Sequence, residues 1–217
     1  KGKAGWVGPP VRGNQVKLVN TNSEGIGEIC FRGDSISPGY YKNSAATAAA
    51  YDSEGFFHTG DLGRLDAGGN ISITGRLKNV IVLDSGKNVY PEELEFYYRN
   101  SPVVSEIAVV GRRIDGRETL YAIIVPSKRS EDIYRQVRDE LYRLNVSLPE
   151  YRRVYNFALS FDPLPRNSTR KLLYRDVIDA LDQGFYQTVE GDSAVLRTLL
   201  VGKDPAEERV IEVLKGR

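Results

Sequence analysis

A change in hydrophobic patterning near Leu77 and Lys78 is the feature that most constrains the fold. Before this point, short alternating apolar segments such as residues 27–33 are separated by glycine turns, which is typical of hairpins in a small sheet or barrel. After it, buried apolar segments alternate with segments of helical spacing, which predicts an α+β domain. We therefore expect a small β-rich, barrel-like subdomain over residues 1–76 and an α+β domain over residues 77–185.

Propensity and turn signals predict the individual elements. An alanine-rich helix is expected over residues 44–50, and a glycine turn over residues 66–70. Pro91 and the acids that follow it are typical of the first turn of a helix. The remaining elements follow from apolar spacing: strands at 16–19, 27–33, 71–75, 80–83, 107–111, 120–125 and 153–161, and helices at 131–145 and 171–181.

Composition narrows the class of protein. Thirty Lys and Arg residues nearly balance 29 Asp and Glu residues, giving a net charge of +1, which argues against a nucleic-acid partner. No run approaches the roughly 18 apolar residues of a membrane span, and residues 1–6 lack the apolar core of a signal peptide. The single cysteine, Cys30, allows no internal disulfide and is expected to be buried. We expect a cytoplasmic protein, and because the sequence contains no methionine, we expect a piece of a longer one.

The first motif that carries chemistry is Thr59-Gly60-Asp61, which follows an aromatic segment and is predicted to form a tight turn. It presents one carboxylate, and a carboxylate accepts two hydrogen bonds at once, as a vicinal diol such as ribose requires. The alternative is a turn aspartate that caps its own backbone.

The second motif runs from Gly75 to Glu95 and combines a strand end, a second strand, a glycine turn and a helix. Arg76 is suited to donate to hydroxyls or phosphate, and Gly86 permits a close approach of the backbone to a ligand. The alternative is a hairpin with solvated Lys and Arg side chains.

The third motif is a proline-punctuated basic loop over residues 163–172 that leads into a helix. A loop that bears Lys171 is suited to deliver one positive charge to a developing negative charge. A solvated basic loop is the alternative.

In this order and spacing the motifs resemble the adenylate-forming superfamily: acyl-CoA synthetases, firefly luciferase and the adenylation domains of peptide synthetases. Residues 27–41 resemble its Gly-Glu-Ile…Gly-Tyr segment, Thr59-Gly60-Asp61 its Thr-Gly-Asp, and residues 75–78 its hinge motif. Lys171 falls where the C-terminal catalytic lysine stands. The form of residues 82–93 is most similar to the long-chain fatty acid–CoA ligase branch.

The resemblance implies that residues 1–76 are the C-terminal subdomain of a large adenylation domain and that residues 77–185 are its α+β lid domain. It further implies roles for single residues. Asp61 would bind the ribose hydroxyls of ATP with help from Arg76, and Lys171 would contact the acyl carboxylate and the α-phosphate during adenylation.

Three further roles follow from the same resemblance. Lys78 would be the hinge about which the lid rotates between half-reactions, and Ser85 and Gly86 would lie in a loop that reaches the active site for thioester formation. No residue of this chain is expected to hold a metal ion. Arg170 departs from the pattern, since a glycine usually precedes the lysine.

The activity implied is that of an ATP-dependent fatty acid–CoA ligase, with ATP, Mg²⁺ and CoA as cofactors and a fatty acid or other carboxylate as substrate. The family's phosphate-gripping loop, its Tyr-Gly-x-Thr-Glu segment and its acyl pocket are expected to precede residue 1, so the chain alone is expected to be inactive.

Two alternative functions remain open: an acyl-AMP ligase that loads a carrier protein, and a non-catalytic domain of the same fold. Residues 186–217 are expected to form a linker and the start of a further domain. Within them, residues 206–214 are a candidate first helix of a carrier-protein domain.

Overall fold

The computed structural model describes residues 6–187, and the chain divides into two compact units between Val80 and Ile81. The two units differ in architecture, as the change in patterning predicts: the first is a sheet with one short helix, and the second combines strands with three α-helices. The expected linker and the candidate helix at 206–214 lie outside the described residues.

The first unit is a four-stranded antiparallel sheet in which each strand pairs with the next. The linear strand order leaves the sheet open among residues 6–80, so the barrel-like detail of the prediction is wrong, because strands at the two ends do not pair with each other. Its strands are β1 (Asn14–Val19), β2 (Gly27–Gly33), β3 (Phe57–Leu65) and β4 (Ile71–Arg76).

The helix α1 (Ser44–Ala50) lies between β2 and β3 and begins at a side-chain cap. The Asn43 side chain accepts a hydrogen bond from the amide of Ala46 at 3.0 Å, which satisfies one of the orphan donors of the first turn. None of the helix residues is buried, so propensity and this cap rather than core packing favour the helix.

The second unit is built on a three-stranded sheet with helices on both faces. The strand β7 (Val104–Ile114) pairs antiparallel with β8 (Arg117–Pro126), which pairs parallel with β9 (Asn156–Leu159). A parallel pair requires a crossover, and α3 (Ile133–Asn145) supplies it. The other elements are the hairpin β5 (Ile81–Val82) and β6 (Asn88–Val89), the helix α2 (Pro91–Tyr98) and the helix α4 (Tyr174–Asp182).

Alternation along the three strands divides their side chains between two cores. On β7, Ile107 and Val109 belong to the core that contains residues of α2 and α3, whereas Ala108 and Val110 belong to the core that contains residues of α4. Successive side chains of a strand point to opposite faces, so a continuous apolar run predicts a sheet covered on both sides. The prediction of strands at 107–111 and 120–125 is therefore confirmed, and both are buried in the structure.

Two predicted strands are longer in the sequence pattern than in the structure. The segment 80–83 pairs only at Ile81 and Val82, and Val82 is 59% exposed. The segment 153–161 pairs only over Asn156–Leu159, because the Val154 backbone bonds to the Tyr98 and Asn145 side chains and the Ser160 hydroxyl is engaged with Asp162 in the following turn.

A buried polar network joins α2, the end of α3 and the segment that leads into β9. The Tyr98 hydroxyl donates to Asn145 Oδ1 at 2.5 Å and accepts from the Val154 amide at 3.2 Å. Asn145 Nδ2 in turn donates to the Val154 carbonyl oxygen at 2.8 Å. Burial raises the pKa of Tyr98 to about 12, so its hydroxyl keeps the proton that it donates.

A buried carboxyl group links α2 to β7 and α4. Glu95 is 5% exposed, and its Oε1 accepts from the Val109 amide at 2.9 Å and from the Tyr174 hydroxyl at 2.9 Å. Burial raises the pKa of Glu95 from 4.5 to about 7, although the bonds from Val109 and Tyr174 act in the opposite direction.

We predict that Tyr98→Phe lowers the free energy of unfolding by about 1–2 kcal/mol, since it removes one buried donor and one acceptor from a closed network. Urea titration of the chain measures this change. Tyr155→Phe is the matched control, because Tyr155 lies in the same unit and packs its ring against Tyr142. Equal losses in the two variants would contradict a special contribution of the network.

We also predict that Glu95 makes the chain less stable as pH rises from about 4.5 to 7. The folded pKa lies above the unfolded one, so in this range the folded state keeps a proton that the unfolded state has lost. Each pKa unit between the folded and unfolded values corresponds to about 1.4 kcal/mol in the free energy of unfolding. Glu95→Gln keeps an acceptor for Val109 and Tyr174 and should flatten the decline.

Urea midpoints measured at several pH values between 5 and 8 test this expectation, with the exposed Glu131→Gln as control. A decline in Glu95→Gln as steep as in the unchanged chain would show that other groups cause it.

Candidate active site

The six residues predicted from the sequence fall into two groups, one in each unit. Asp61, Arg76 and Lys78 belong to the first unit, and Ser85, Gly86 and Lys171 belong to the second. Among them, Asp61 and Arg76 are brought into direct contact.

Asp61 and Arg76 are partners across the β3–β4 ladder. Arg76 Nε lies 2.6 Å from Asp61 Oδ1, and the two side chains are 43% and 34% exposed. An ion pair this exposed to water contributes little to stability, on the order of 0–1 kcal/mol. The pair therefore presents a charged carboxylate beside a guanidinium, both accessible to a ligand.

Asp61 stands in a bulge rather than in the tight turn that the sequence predicts. In the β2–β3 register, Glu28 pairs with Leu62 and Cys30 pairs with His58, so three residues of β3 oppose Ile29 alone. The backbone of Gly60 has a φ of +69°, a conformation that glycine adopts readily. The prediction of a tight turn was wrong because a glycine bulge inside a strand has the same local sequence as a glycine turn.

Side chains of β2 and β3 satisfy the polar groups of this bulge. Glu28 Oε1 accepts from the Gly60 amide at 2.9 Å, and Glu28 Oε2 lies 2.8 Å from His58 Nδ1. The Thr59 hydroxyl donates to the Ile29 carbonyl oxygen at 2.7 Å and accepts from the Asp61 amide at 3.0 Å. Each residue from His58 to Asp61 is thus tied to a fixed partner.

Glu28 and His58 were not predicted as site residues from the sequence. Glu28 is only 8% exposed, although it carries a carboxylate. The sequence signal that could have identified Glu28 is its place in the apolar strand β2, next to Ile29 and Cys30. A glutamate in such a strand is expected to be buried, and a buried carboxylate needs hydrogen-bond partners.

Glu28, Cys30 and His58 also have potential metal-ligand atoms within 4.8 Å of one another, the only such group of three among residues 6–187. Burial, and then the charge of Glu28, raise the pKa of Cys30 to about 11, so its sulfur is a protonated thiol. Both oxygens of Glu28 are already engaged with Gly60 and His58. Mg²⁺ prefers oxygen ligands, so this group does not fit Mg²⁺ and instead forms a hydrogen-bonded network.

Lys78 is exposed and lies in the 3-10 turn Leu77–Asn79, directly after β4. The turn is closed by a hydrogen bond from the Val80 amide to the Leu77 carbonyl oxygen at 3.4 Å. Lys78 is therefore in the last turn before the division between the two units.

Ser85 and Gly86 form the exposed tip of the β5–β6 hairpin. The Gly86 amide donates to the Leu83 carbonyl oxygen at 2.8 Å, and Gly86 has a φ of +74°. Asp84 anchors the hairpin to β8, since its Oδ2 accepts from the Glu118 amide at 3.0 Å. The tip thus presents backbone to solvent from an anchored base.

Lys171 lies in a closed loop before α4, not in the helix, which begins at Tyr174. A bridge between Arg166 and Leu172 closes the loop, and Asn167 Oδ1 accepts from the Lys171 amide at 2.9 Å. Helical spacing placed the helix start too early, because these bonds hold the backbone of Lys171 in the loop. No carboxylate of residues 6–187 forms an ion pair with its exposed ammonium group.

Arg166 fixes this loop to the sheet. Its guanidinium donates to Glu106 Oε2 on β7 at 2.9 Å and to the Arg170 carbonyl oxygen at 3.0 Å. Arg170 has a φ of +63°, a left-handed conformation that costs a residue other than glycine roughly 1–2 kcal/mol. This conformation accounts for the glycine usual at this position in the resembled family, and the Arg166 bond helps to hold it here.

No helix within residues 6–187 combines the length and the apolar character that crossing a bilayer requires.

Comparison with known proteins gives consistent matches. Residues 78–181 match the family model of the AMP-binding enzyme C-terminal domain. The human long-chain-fatty-acid–CoA ligase ACSBG1 is 35% identical over 184 residues, which are 84% of this chain and 23% of that ligase. This chain therefore spans about a quarter of the length of that curated relative.

Solved structures of one synthetase match both units. The o-succinylbenzoate CoA synthetase MenE from Bacillus subtilis, in complex with the acyl-adenylate intermediate OSB-AMP, has a TM-score of 0.70 and 27% identity over 81% of this chain and 36% of that chain. The same synthetase in complex with ATP and a magnesium ion has a TM-score of 0.68 and 28% identity over 82% of this chain and 36% of that chain. Residues 78–181 are therefore the C-terminal domain of an AMP-binding enzyme, and the chain belongs to the adenylate-forming enzymes, of which it carries a C-terminal part.

Proposed function

We propose that the chain is the C-terminal part of an ATP-dependent fatty acid–CoA ligase. In the first half-reaction a fatty-acid carboxylate attacks the α-phosphate of ATP, which forms acyl-AMP and releases pyrophosphate. In the second, the thiol of CoA attacks the acyl carbon, which forms the thioester and releases AMP. The observation that carries the proposal is the accessible Asp61–Arg76 pair, held on a bulge in a chain related to acyl-CoA ligases.

The Asp61–Arg76 pair contributes the ribose contact. The Asp61 carboxylate accepts hydrogen bonds from the two ribose hydroxyls of ATP, and the adjacent Arg76 guanidinium orients the carboxylate and donates to the nucleotide. The exposure of the Asp61 side chain supports this assignment, since a carboxylate buried in the core would be inaccessible to a ligand.

Lys171 contributes the charge that adenylation needs. The attacking carboxylate and the α-phosphate are both anionic, so a cation placed between them lowers the barrier by offsetting their repulsion. The closed loop from Arg166 to Leu172 supports this role, because it presents the ammonium group to solvent on a backbone fixed by Asn167. Mg²⁺ bound with ATP would offset further negative charge on the phosphates, and the Glu28, Cys30 and His58 group does not fit that ion.

A change of lid orientation separates the two half-reactions. Residues 1–76 are the subdomain that carries Asp61, and residues 77–185 are the lid, with Lys78 as the hinge residue. Rotation about this hinge withdraws Lys171 after adenylation and brings Ser85 and Gly86 to the site for thioester formation. The turn position of Lys78, next to the division between compact units, supports the hinge assignment.

We predict that the isolated 217-residue chain does not catalyse exchange of pyrophosphate into ATP in the presence of a fatty acid. The chain spans 23% of the length of the human relative, and the resembled family places its phosphate-gripping loop before the segment that this chain matches. Exchange clearly faster than in a Lys171→Ala chain would contradict this expectation.

In the full-length ligase that carries this chain, we predict that Lys171→Ala slows acyl-adenylate formation by about 10²–10³-fold, the usual effect of removing one stabilising donor. Thioester formation from supplied acyl-adenylate should remain nearly normal, because the lysine acts in the first step only. Single-turnover measurement of each half-reaction tests this, with the exposed Lys128→Ala as control.

Equal losses in both half-reactions would make Lys171 a structural residue, or would mean that Arg170 shares its role. The double replacement of Arg170 and Lys171 distinguishes these outcomes. Substituting a phosphopantetheinyl carrier protein for CoA in the second step tests the alternative acceptor directly.

A further inference from the structure

We propose that Glu28 and His58 are positioning residues for nucleotide binding, and that they act through the bulge that presents Asp61. The inference rests on the proposed role of Asp61 as the ribose contact. Glu28 and His58 do not touch the nucleotide in this proposal; they determine where the Asp61 carboxylate lies.

The bulge is the feature that needs support. Three residues of β3 oppose the single residue Ile29, so the regular ladder between β2 and β3 is interrupted where Asp61 is presented. A bulge leaves backbone groups without ladder partners, and an unsatisfied buried amide is costly. The Gly60 amide finds its acceptor in Glu28 Oε1, 2.9 Å away, instead of in the β2 backbone.

Burial makes this acceptor strong and specific. Glu28 is 8% exposed, and a carboxylate in such surroundings is stable only when its oxygens are hydrogen-bonded. Bonds to an ionised acceptor are about twice as strong as bonds between neutral groups. The two oxygens are divided between the Gly60 amide and His58 Nδ1, so the rotamer of Glu28 and the position of Gly60 fix each other.

His58 connects this buried carboxylate to the surface. Its Nε2 lies 3.9 Å from Asp52 Oδ2, and Asp52 forms an ion pair with Lys17 Nζ at 2.8 Å. Glu28 therefore holds one nitrogen of the imidazole, Asp52 lies near the other, and His58 stands two residues before Gly60 in β3.

Asp61 follows Gly60 directly, so a shift at Gly60 moves the carboxylate. Without Glu28, the Gly60 amide loses its acceptor, and the bulge is free to regularise toward the ladder. Any such change alters the register in which Asp61 faces Arg76 and lengthens the 2.6 Å contact between them. Displacements of about 1 Å near a binding site typically cost up to about 10²-fold.

The experiment uses the full-length ligase and compares Glu28→Ala, Asp61→Ala and the double variant by the KM for ATP, the KM for the fatty acid and kcat. We expect Asp61→Ala and Glu28→Ala each to raise the KM for ATP by about 10- to 100-fold with little change in the KM for the fatty acid. The double variant should resemble Asp61→Ala, because Glu28 acts through Asp61.

Two further variants separate positioning from folding. In Glu28→Gln the side-chain carbonyl still accepts from Gly60, so the KM for ATP should stay within about threefold of the unchanged enzyme. If Glu28→Ala does not fold, His58→Ala replaces it in the comparison. This substitution removes the imidazole that supports Glu28 Oε2 and lies at a half-exposed position. We expect it to raise the KM for ATP at least about threefold. Asp34→Ala, an exposed acidic residue of the same unit, is the control and should leave all three parameters unchanged.

The outcomes distinguish the two proposals. If Asp61→Ala leaves the KM for ATP unchanged, the assigned ribose contact is wrong, and the positioning role is overturned with it. If Asp61→Ala raises the KM for ATP but neither Glu28→Ala nor His58→Ala does, the positioning role alone is overturned. The same conclusion follows if the effects of Glu28→Ala and Asp61→Ala on this KM multiply in the double variant. A rise in melting temperature with ZnCl₂ that Glu28→Ala abolishes would identify the cluster as a metal site and also overturn the proposal.

Discussion

A buried carboxyl group must have its oxygens hydrogen-bonded, and in each unit one such group meets this requirement beside a segment that carries a candidate site residue. In the first unit Glu28 accepts the amide of a bulged glycine, and in the second Glu95 accepts an amide of β7 and the hydroxyl of Tyr174. The residue after that glycine is Asp61, and Tyr174 begins the helix that follows the Lys171 loop. In the first unit, therefore, the buried carboxyl group holds the bulge that carries Asp61, and in the second it holds the start of the helix that follows the Lys171 loop.

The two groups of candidate residues differ in how they are supported. Asp61 is held by side chains that satisfy an irregular strand, whereas Lys171 is held by a small closed loop with its own hydrogen bonds. The hairpin tip at Ser85 and Gly86 is different again, since it is tethered at its base through Asp84. Irregular backbone carries most of the candidate residues, while the regular strands and helices supply the anchors.

Much of the fold follows from the sequence because both units obey simple periodicity. The helix at 44–50 and the strand at 27–33 coincide with the predicted ranges, since alanine propensity and glycine boundaries act locally. The errors occur where long-range pairing decides: the Thr59–Asp61 segment depends on Glu28 in another strand, and the start of α4 depends on the bridge between Arg166 and Leu172. The same limit hid Glu28 and His58, whose importance depends on a contact between residues 30 positions apart.

The hydrogen bond from the Val109 amide to Glu95 has a consequence for solubility. The strand β7 lies at one edge of its sheet, and an edge strand exposes amides that are able to pair with a strand of another chain. Glu95 occupies one of these amides from within the same molecule, near the middle of the strand. Farther along β7, Arg112 and Arg113 add positive charge, which disfavours edge-to-edge association. The Glu95 carboxyl group, which links α2 to β7 and α4, thus also disfavours aggregation through the edge of β7.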